Sequence, residues 1–181
     1  AMKATTTQQI PIDEKLATLK AVLKDMAQVV VAYSGGVDST FLLKVAVDTL
    51  GSDAIALTAI SPSYPDWELA EARALASDMG AEMLEVQTHE MERAAYLENN
   101  ADRCYHCKSE LFEMAEESAR KLGLDQICYG AIVDDLGDYR PGMDAAKERG
   151  VRAPLIEAGL TKDEIRLLSR DLGLSTWDKP A

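Results

Sequence analysis

The run Gln28–Tyr33 (QVVVAY) constrains this chain most: it is apolar and β-branched, stops at Ser34-Gly35-Gly36, and gives way at once to a helical pattern. A strand apolar on both sides belongs inside a sheet covered on both faces. After the Gly pair, Val37, Phe41 and Val45 with Leu42, Ala46 and Leu50 form a broad helical face that Gly51 ends. The alternation recurs. Leu16, Leu19, Leu23 and Met26 mark an amphipathic first helix behind a polar, loose Ala4–Ile10. Ala54–Ile60, Glu82–Gln87 and Gln126–Tyr129 read as strands. Asp66–Asp78, entered through Pro65, reads as a helix, and so does the segment carrying Leu111, Met114, Ala115, Ala119 and Leu122. Thr161 and Glu164 form a capping box ahead of Ile165, Leu168 and Leu172. The pattern predicts one doubly wound α/β domain over residues 1–181, a parallel sheet flanked by helices.

Bulk properties narrow the function classes. The 181 residues suffice for a sizeable core without staples. A net charge of −12 argues against a surface built for nucleic acid or anionic membrane. Three cysteines, an odd number, suggest a reducing, cytoplasmic setting. No apolar run has the length of a membrane span, and no secretory signal precedes the first helix. Ala1 ahead of Met2 reads as a cleavage scar.

The loop Ser34-Gly35-Gly36-Val37-Asp38-Ser39 falls at the carboxyl edge of the sheet, where open α/β folds bind ligands. Gly35 and Gly36 admit backbone angles closed to other residues, and successive N–H groups then make a nest for phosphate oxygens at a helix start. Ser34 and Ser39 can donate hydroxyl hydrogen bonds. Asp38 would repel bare phosphate, so it makes best sense as a partner of Mg²⁺. No Lys precedes the Ser, so this is not a Walker-A loop. The bland alternative is a tight Gly-Gly turn with incidental polar neighbours. Ser61, Gly130 and Asp134, which follow two other strands, are expected to complete the nucleotide site.

Cys104-Tyr105-His106-Cys107 follows an expected Asn/Asp-rich turn and is expected to precede a helix. Two thiols at this spacing suit half of an iron–sulfur site, a redox or inert pair, or part of a zinc site that lacks a second Cys pair. Cys128, among apolar strand residues, reads as a buried core thiol. Asp138-Tyr139-Arg140-Pro141-Gly142 offers a forked cation suited to a carboxylate or phosphate, above a Pro-Gly turn. The alternative is a solvated loop with a surface Arg140.

The loop resembles the PP-loop ATP pyrophosphatases, which hold the pyrophosphate of ATP and expose its α-phosphate. AYSGGVDSTFLLKVA, NNADRCYHCKSELF, YGAIVDDLGDYRPG and VRAPLIEAGLTKDEIRLLSRDLGLSTWDKPA together resemble the LarE family of ATP-dependent sulfur transferases over nearly the whole chain. That resemblance implies an acceptor, pyridinium-3,5-biscarboxylic acid mononucleotide, adenylated by ATP with Mg²⁺ and then given sulfur for nickel-pincer cofactor synthesis. It implies catalytic roles for Asp38 and Arg140. It also implies a 4Fe–4S cluster held by Cys104, Cys107 and a third cysteine. In that family a stretch resembling CLASR and a smaller C-terminal domain follow TWDKPA, so the chain is expected to be the ATP-binding domain of a longer, homo-oligomeric enzyme, incomplete in sulfur transfer by itself. Three other readings share the loop: a tRNA-thiolating enzyme, an amide-forming ligase of the NAD- or GMP-synthetase kind, and a nonenzymatic ATP-binding module. The acidic balance speaks against the first, the CxxC against the second, and Asp38 with the CxxC against the third.

Overall fold

The computed structural model describes residues 10–62, 64–88, 100–124, 126–137 and 141–180, with backbone alone for 100–107 and 141–142. Four parallel strands, β1 (Val29–Ala32), β2 (Ala54–Ile60), β3 (Glu82–Gln87) and β4 (Gln126–Cys128), lie in the order β3-β2-β1-β4. β1 is buried at every residue, as its unbroken apolar run demands. Its side chains alternate between two cores. Val29, Val31 and Tyr33 face a core shared with Leu19 and Leu23 of α1 (Ile12–Met26), Phe41 and Leu42 of α2 (Val37–Leu50), and Ala72 of α3 (Asp66–Met79). Val30 and Ala32 face the other, with Phe112 and Ala115 of α4 (Asn100–Leu122) and Ala145 of α5 (Pro141–Glu148). Helices cover both faces, the doubly wound arrangement the alternation predicts. β3 lies at one edge of the sheet, where Glu82, Glu85 and Gln87 are exposed, and the two glutamate charges discourage pairing with another chain.

The helix signals act where the sequence places them. Gly80 ends α3 in the left-handed conformation, φ 73°. Two short helices follow β4 and α5: α6 (Pro154–Glu157) and α7 (Lys162–Asp171). The Thr161–Glu164 capping box is present at the start of α7. Lys15 of α1 adds a 2.8 Å ion pair to the Glu164 carboxylate, tying α1 to that helix end.

Two expectations need correction. Cys104 and Cys107 do not precede the helix but lie within it, because α4 already begins at Asn100. Asn and Asp serve helix starts as readily as turns, so the NNAD cluster admitted both. Pro141 and Gly142 open α5 instead of forming a turn, and Pro suits a first helical position because its missing N–H has no intrahelical partner there. The polar stretch Ala4–Ile10, expected to be loose, falls outside the described residues except for Ile10, and Asp138–Arg140 fall outside them too.

Cys128 is fully buried, and burial pushes its thiol up to about 12. The native state thus keeps the neutral thiol while an unfolded chain ionises it at the ordinary value. This contribution to stability is complete below that value and is lost as pH rises from about 9 toward about 12. At pH 8 iodoacetamide should leave Cys128 unmodified in native protein and alkylate it in denaturant, read by peptide mass mapping. Modification at the same rate in both states would contradict the burial.

Candidate active site

The chain runs β1, β2, β3 to one side and then returns to place β4 on the other side of β1. The carboxyl ends of β1 and β4 therefore part company, and such a switch point opens a crevice for ligands. A cleft of about 990 Å³ lies there. Ser34, Gly36, Val37, Asp38 and Ser39 line it from β1 and α2, Gly130 and Asp134 from the segment after β4, and Lys162 from α7.

The loop braces itself. Gly35 takes φ +81°, closed to ordinary side chains, and a Cβ there would come 3.1 Å from Cβ of Ala72. The Ser34 N–H donates to Ser39 Oγ at 3.2 Å, and the two serine hydroxyls lie 3.1 Å apart, one donating to the other. One of these protons is therefore committed inside the loop. Tyr64 donates its hydroxyl to the Ser34 carbonyl at 2.9 Å, and its own N–H bonds the carbonyl of Ser61 at 3.0 Å. Ser61, buried just after β2, is thus joined to the loop through Tyr64.

Two helix starts meet at this crevice and differ in one respect. The N-terminus of α7 is satisfied by Thr161, Glu164 and Asp134, whose Oδ1 accepts from the Lys162 N–H at 3.2 Å. Among the described residues no side chain caps α2, which starts from the extended Gly36. Its first-turn N–H groups keep their donor capacity for an anion, with the helix dipole behind them. Asp134 serves the fold of this wall as a helix cap.

Asp38 occupies the first turn of α2 and is less than a quarter exposed. Its Oδ2 accepts from Lys162 Nζ at 2.6 Å, across 124 residues of sequence. Its Oδ1 is buried and has no hydrogen-bond partner among the described residues. Desolvation raises its pKa above the ordinary carboxylate value, outweighing the opposing hydrogen bond and charge of Lys162. A carboxylate with a spare acceptor oxygen in the wall of this cleft suits Mg²⁺, which takes one or two carboxylates and leaves its other positions to water and phosphate. Among the described residues no group of three or more His, Cys, Asp and Glu gathers into a fuller metal site.

Sequence reasoning did not assign Lys162 or Lys108 to the site, although both line the cleft of an acidic chain. Arg140 and the side chains of Cys104 and Cys107 lie outside the described residues. Cys128 is the buried core thiol that the sequence predicts, and burial keeps it protonated. Among the described residues, no helix is long and apolar enough to cross a membrane.

Residues 12–126, from α1 through the phosphate loop to the start of β4, match the family model for NAD synthase. The chain belongs to the NAD synthase family. The LarE-type resemblance also has a counterpart among curated relatives of this family member. The pyridinium-3,5-bisthiocarboxylic acid mononucleotide synthase of Lactiplantibacillus plantarum is 38% identical over 168 residues, 92% of this chain and 61% of that protein. The uncharacterized protein slr1717 of Synechocystis is 47% identical over 170 residues, 94% of this chain and 63% of its own. The chain thus spans under two thirds of the length of these relatives. The NMN synthetase structure from Francisella tularensis superposes with a TM-score of 0.76 at 16% identity, covering 96% of this chain and 76% of that one, a likeness of fold.

Proposed function

We propose that this chain is the ATP-binding domain of a cytoplasmic sulfur transferase that adenylates a carboxylate of pyridinium-3,5-biscarboxylic acid mononucleotide for nickel-pincer cofactor synthesis. The observation that carries the reading is the uncapped start of α2 at the switch point, in a chain 38% identical to a synthase of the corresponding thiocarboxylate nucleotide. A bare carboxylate is a poor electrophile, so activation precedes sulfur delivery. The carboxylate oxygen bonds to the α-phosphorus of ATP, and the bond from that phosphorus to the bridging oxygen breaks. Pyrophosphate leaves, held by the N–H groups after Gly36 and by the Lys162 charge. A sulfur nucleophile then bonds to the carbonyl carbon and AMP departs.

Mg²⁺ bound to Asp38 would neutralise charge on the phosphate oxygens. Arg140 holds a carboxylate or phosphate of the acceptor. Cys104 and Cys107 serve the sulfur step. The longer enzyme is a homo-oligomer whose substrate is a small nucleotide.

The test is pyrophosphate release. The chain, or the longer protein containing it, should form pyrophosphate from ATP and Mg²⁺ when the pyridinium biscarboxylate nucleotide is added. Release driven instead by nicotinate adenine dinucleotide and ammonia would overturn the sulfur reading in favour of amide formation.

A further inference from the structure

The segment Ser175–Asp178 with Lys179 and Pro180 lies against the phosphate loop, and the proposed reaction leaves it without a role. Its backbone is gripped from α7. Arg166 donates through Nη1 to the carbonyl oxygens of Trp177, at 2.8 Å, and Lys179, at 2.9 Å. The Arg170 guanidinium lies 5.3 Å from the centroid of the Trp177 ring. So held, Lys179 donates from Nζ to the carbonyl of Gly35 at 3.3 Å, and Glu71 of α3 stands 3.8 Å away. Pro180 lines the cleft itself.

Neither partner uses the ammonium fully. A neutral carbonyl at 3.3 Å is a long, weak acceptor, and Glu71 is more than half exposed, where ion pairs are worth little. An ammonium carries further N–H donors on a flexible stem, and a phosphate oxygen is the stronger acceptor. Gly35 is itself part of the loop, so an anion seated on the adjoining N–H groups of α2 lies within a short swing of Nζ.

We propose that Lys179 is a phosphate ligand of this loop, carried to it by the segment that Arg166 fastens to α7. The proposal rests on the assignment of the loop to the pyrophosphate part of ATP. It follows that ATP and free pyrophosphate engage Lys179, whereas AMP, whose single phosphate lies outside the nest, does not.

The chain has two tryptophans, Trp67 and Trp177, so a Trp67→Phe background makes Trp177 the sole reporter on this segment. ATP and pyrophosphate should change Trp177 emission in that background, and AMP should not. Lys179→Met should abolish the change and weaken ATP and pyrophosphate about tenfold, the scale of one charged hydrogen bond, with AMP affinity kept within about twofold. Lys179→Arg should restore most of the loss. Glu71→Gln removes a competitor for the ammonium and should tighten ATP about twofold, a gain that damage to the fold would not produce. Unchanged ATP affinity in Lys179→Met, equal weakening of ATP and AMP, or weaker binding in Glu71→Gln would overturn the proposal. Failure of the unsubstituted chain to bind ATP or pyrophosphate would instead remove the ATP reading beneath it, and the proposal with it.

Discussion

Replacing Gly130 with alanine should cost the chain both stability and nucleotide binding. A Cβ at Gly130 would lie 3.0 Å from the Ser39 nitrogen and 3.2 Å from the Asp38 carbonyl carbon and the Ser39 Cα. All three are backbone atoms of the first turn of α2, and no flexible side-chain end is there to yield. The φ of Gly130 is not positive, so the conflict is one of space and not of torsion. Either the segment after β4 moves away or the start of α2 shifts. Such overpacking costs about 1–3 kcal/mol of stability. The functional loss should be larger, because the displaced atoms are those that would present N–H groups to phosphate in the proposed site, and a misplacement of about 1 Å can cost roughly a hundredfold. Gly137→Ala is the control. No described residue lies within 4 Å of a Cβ there and its φ is not positive, so stability should move by less than about 0.5 kcal/mol. Chemical denaturation and ATP titration of both variants check the contrast. Wild-type ATP affinity in Gly130→Ala would mean that close approach of the two segments does not set the loop.

What the sequence disclosed, and what it withheld, follows from distance along the chain. The strand, the glycines and the uncapped helix of the phosphate loop are contiguous, so their chemistry could be read locally. The capping box at Thr161 was equally plain, because both of its partners lie within four residues. Reading it as a cap, however, hid the role of Lys162 between them, whose partner Asp38 is 124 residues away. Lys179 reaches back 144 residues to Gly35 for the same reason. Gly130 was placed at the sheet edge from its position after a strand. Its closeness to Ser39 depends on β4 lying beside β1, which periodicity does not specify. The early start of α4 was missed because Asn and Asp favour both helix caps and turns, and local preference does not choose between them.

Asp38→Asn should separate the binding of nucleotide from its use. Desolvation raises the Asp38 pKa even with Lys162 at 2.6 Å, so a charged carboxylate is held where the fold does not favour it. A neutral amide of the same shape escapes that penalty, and the thermal midpoint should stay level or rise. Its carbonyl oxygen can still accept from Lys162. Its NH₂ then takes the place of Oδ1, the buried oxygen without a partner among the described residues, and a donor cannot ligate a cation. Removing a negative charge beside a phosphate nest should leave ATP binding in EDTA unchanged or tighter, and the gain in affinity on adding Mg²⁺ should disappear. Pyrophosphate formation should fall by about a hundredfold or more, the scale of losing one preorganised electrostatic group in a closed site. Calorimetric titration of ATP with and without Mg²⁺, beside a melting curve, reads all three effects. If Mg²⁺ strengthened ATP binding equally in the variant and the parent, Asp38 would not be the metal ligand. Its charge would then serve Lys162 alone. A fall in the thermal midpoint would show that the ion pair outweighs desolvation after all. The expected combination, a sounder fold with a failed reaction, is the mark of a charge retained for chemistry at the expense of stability.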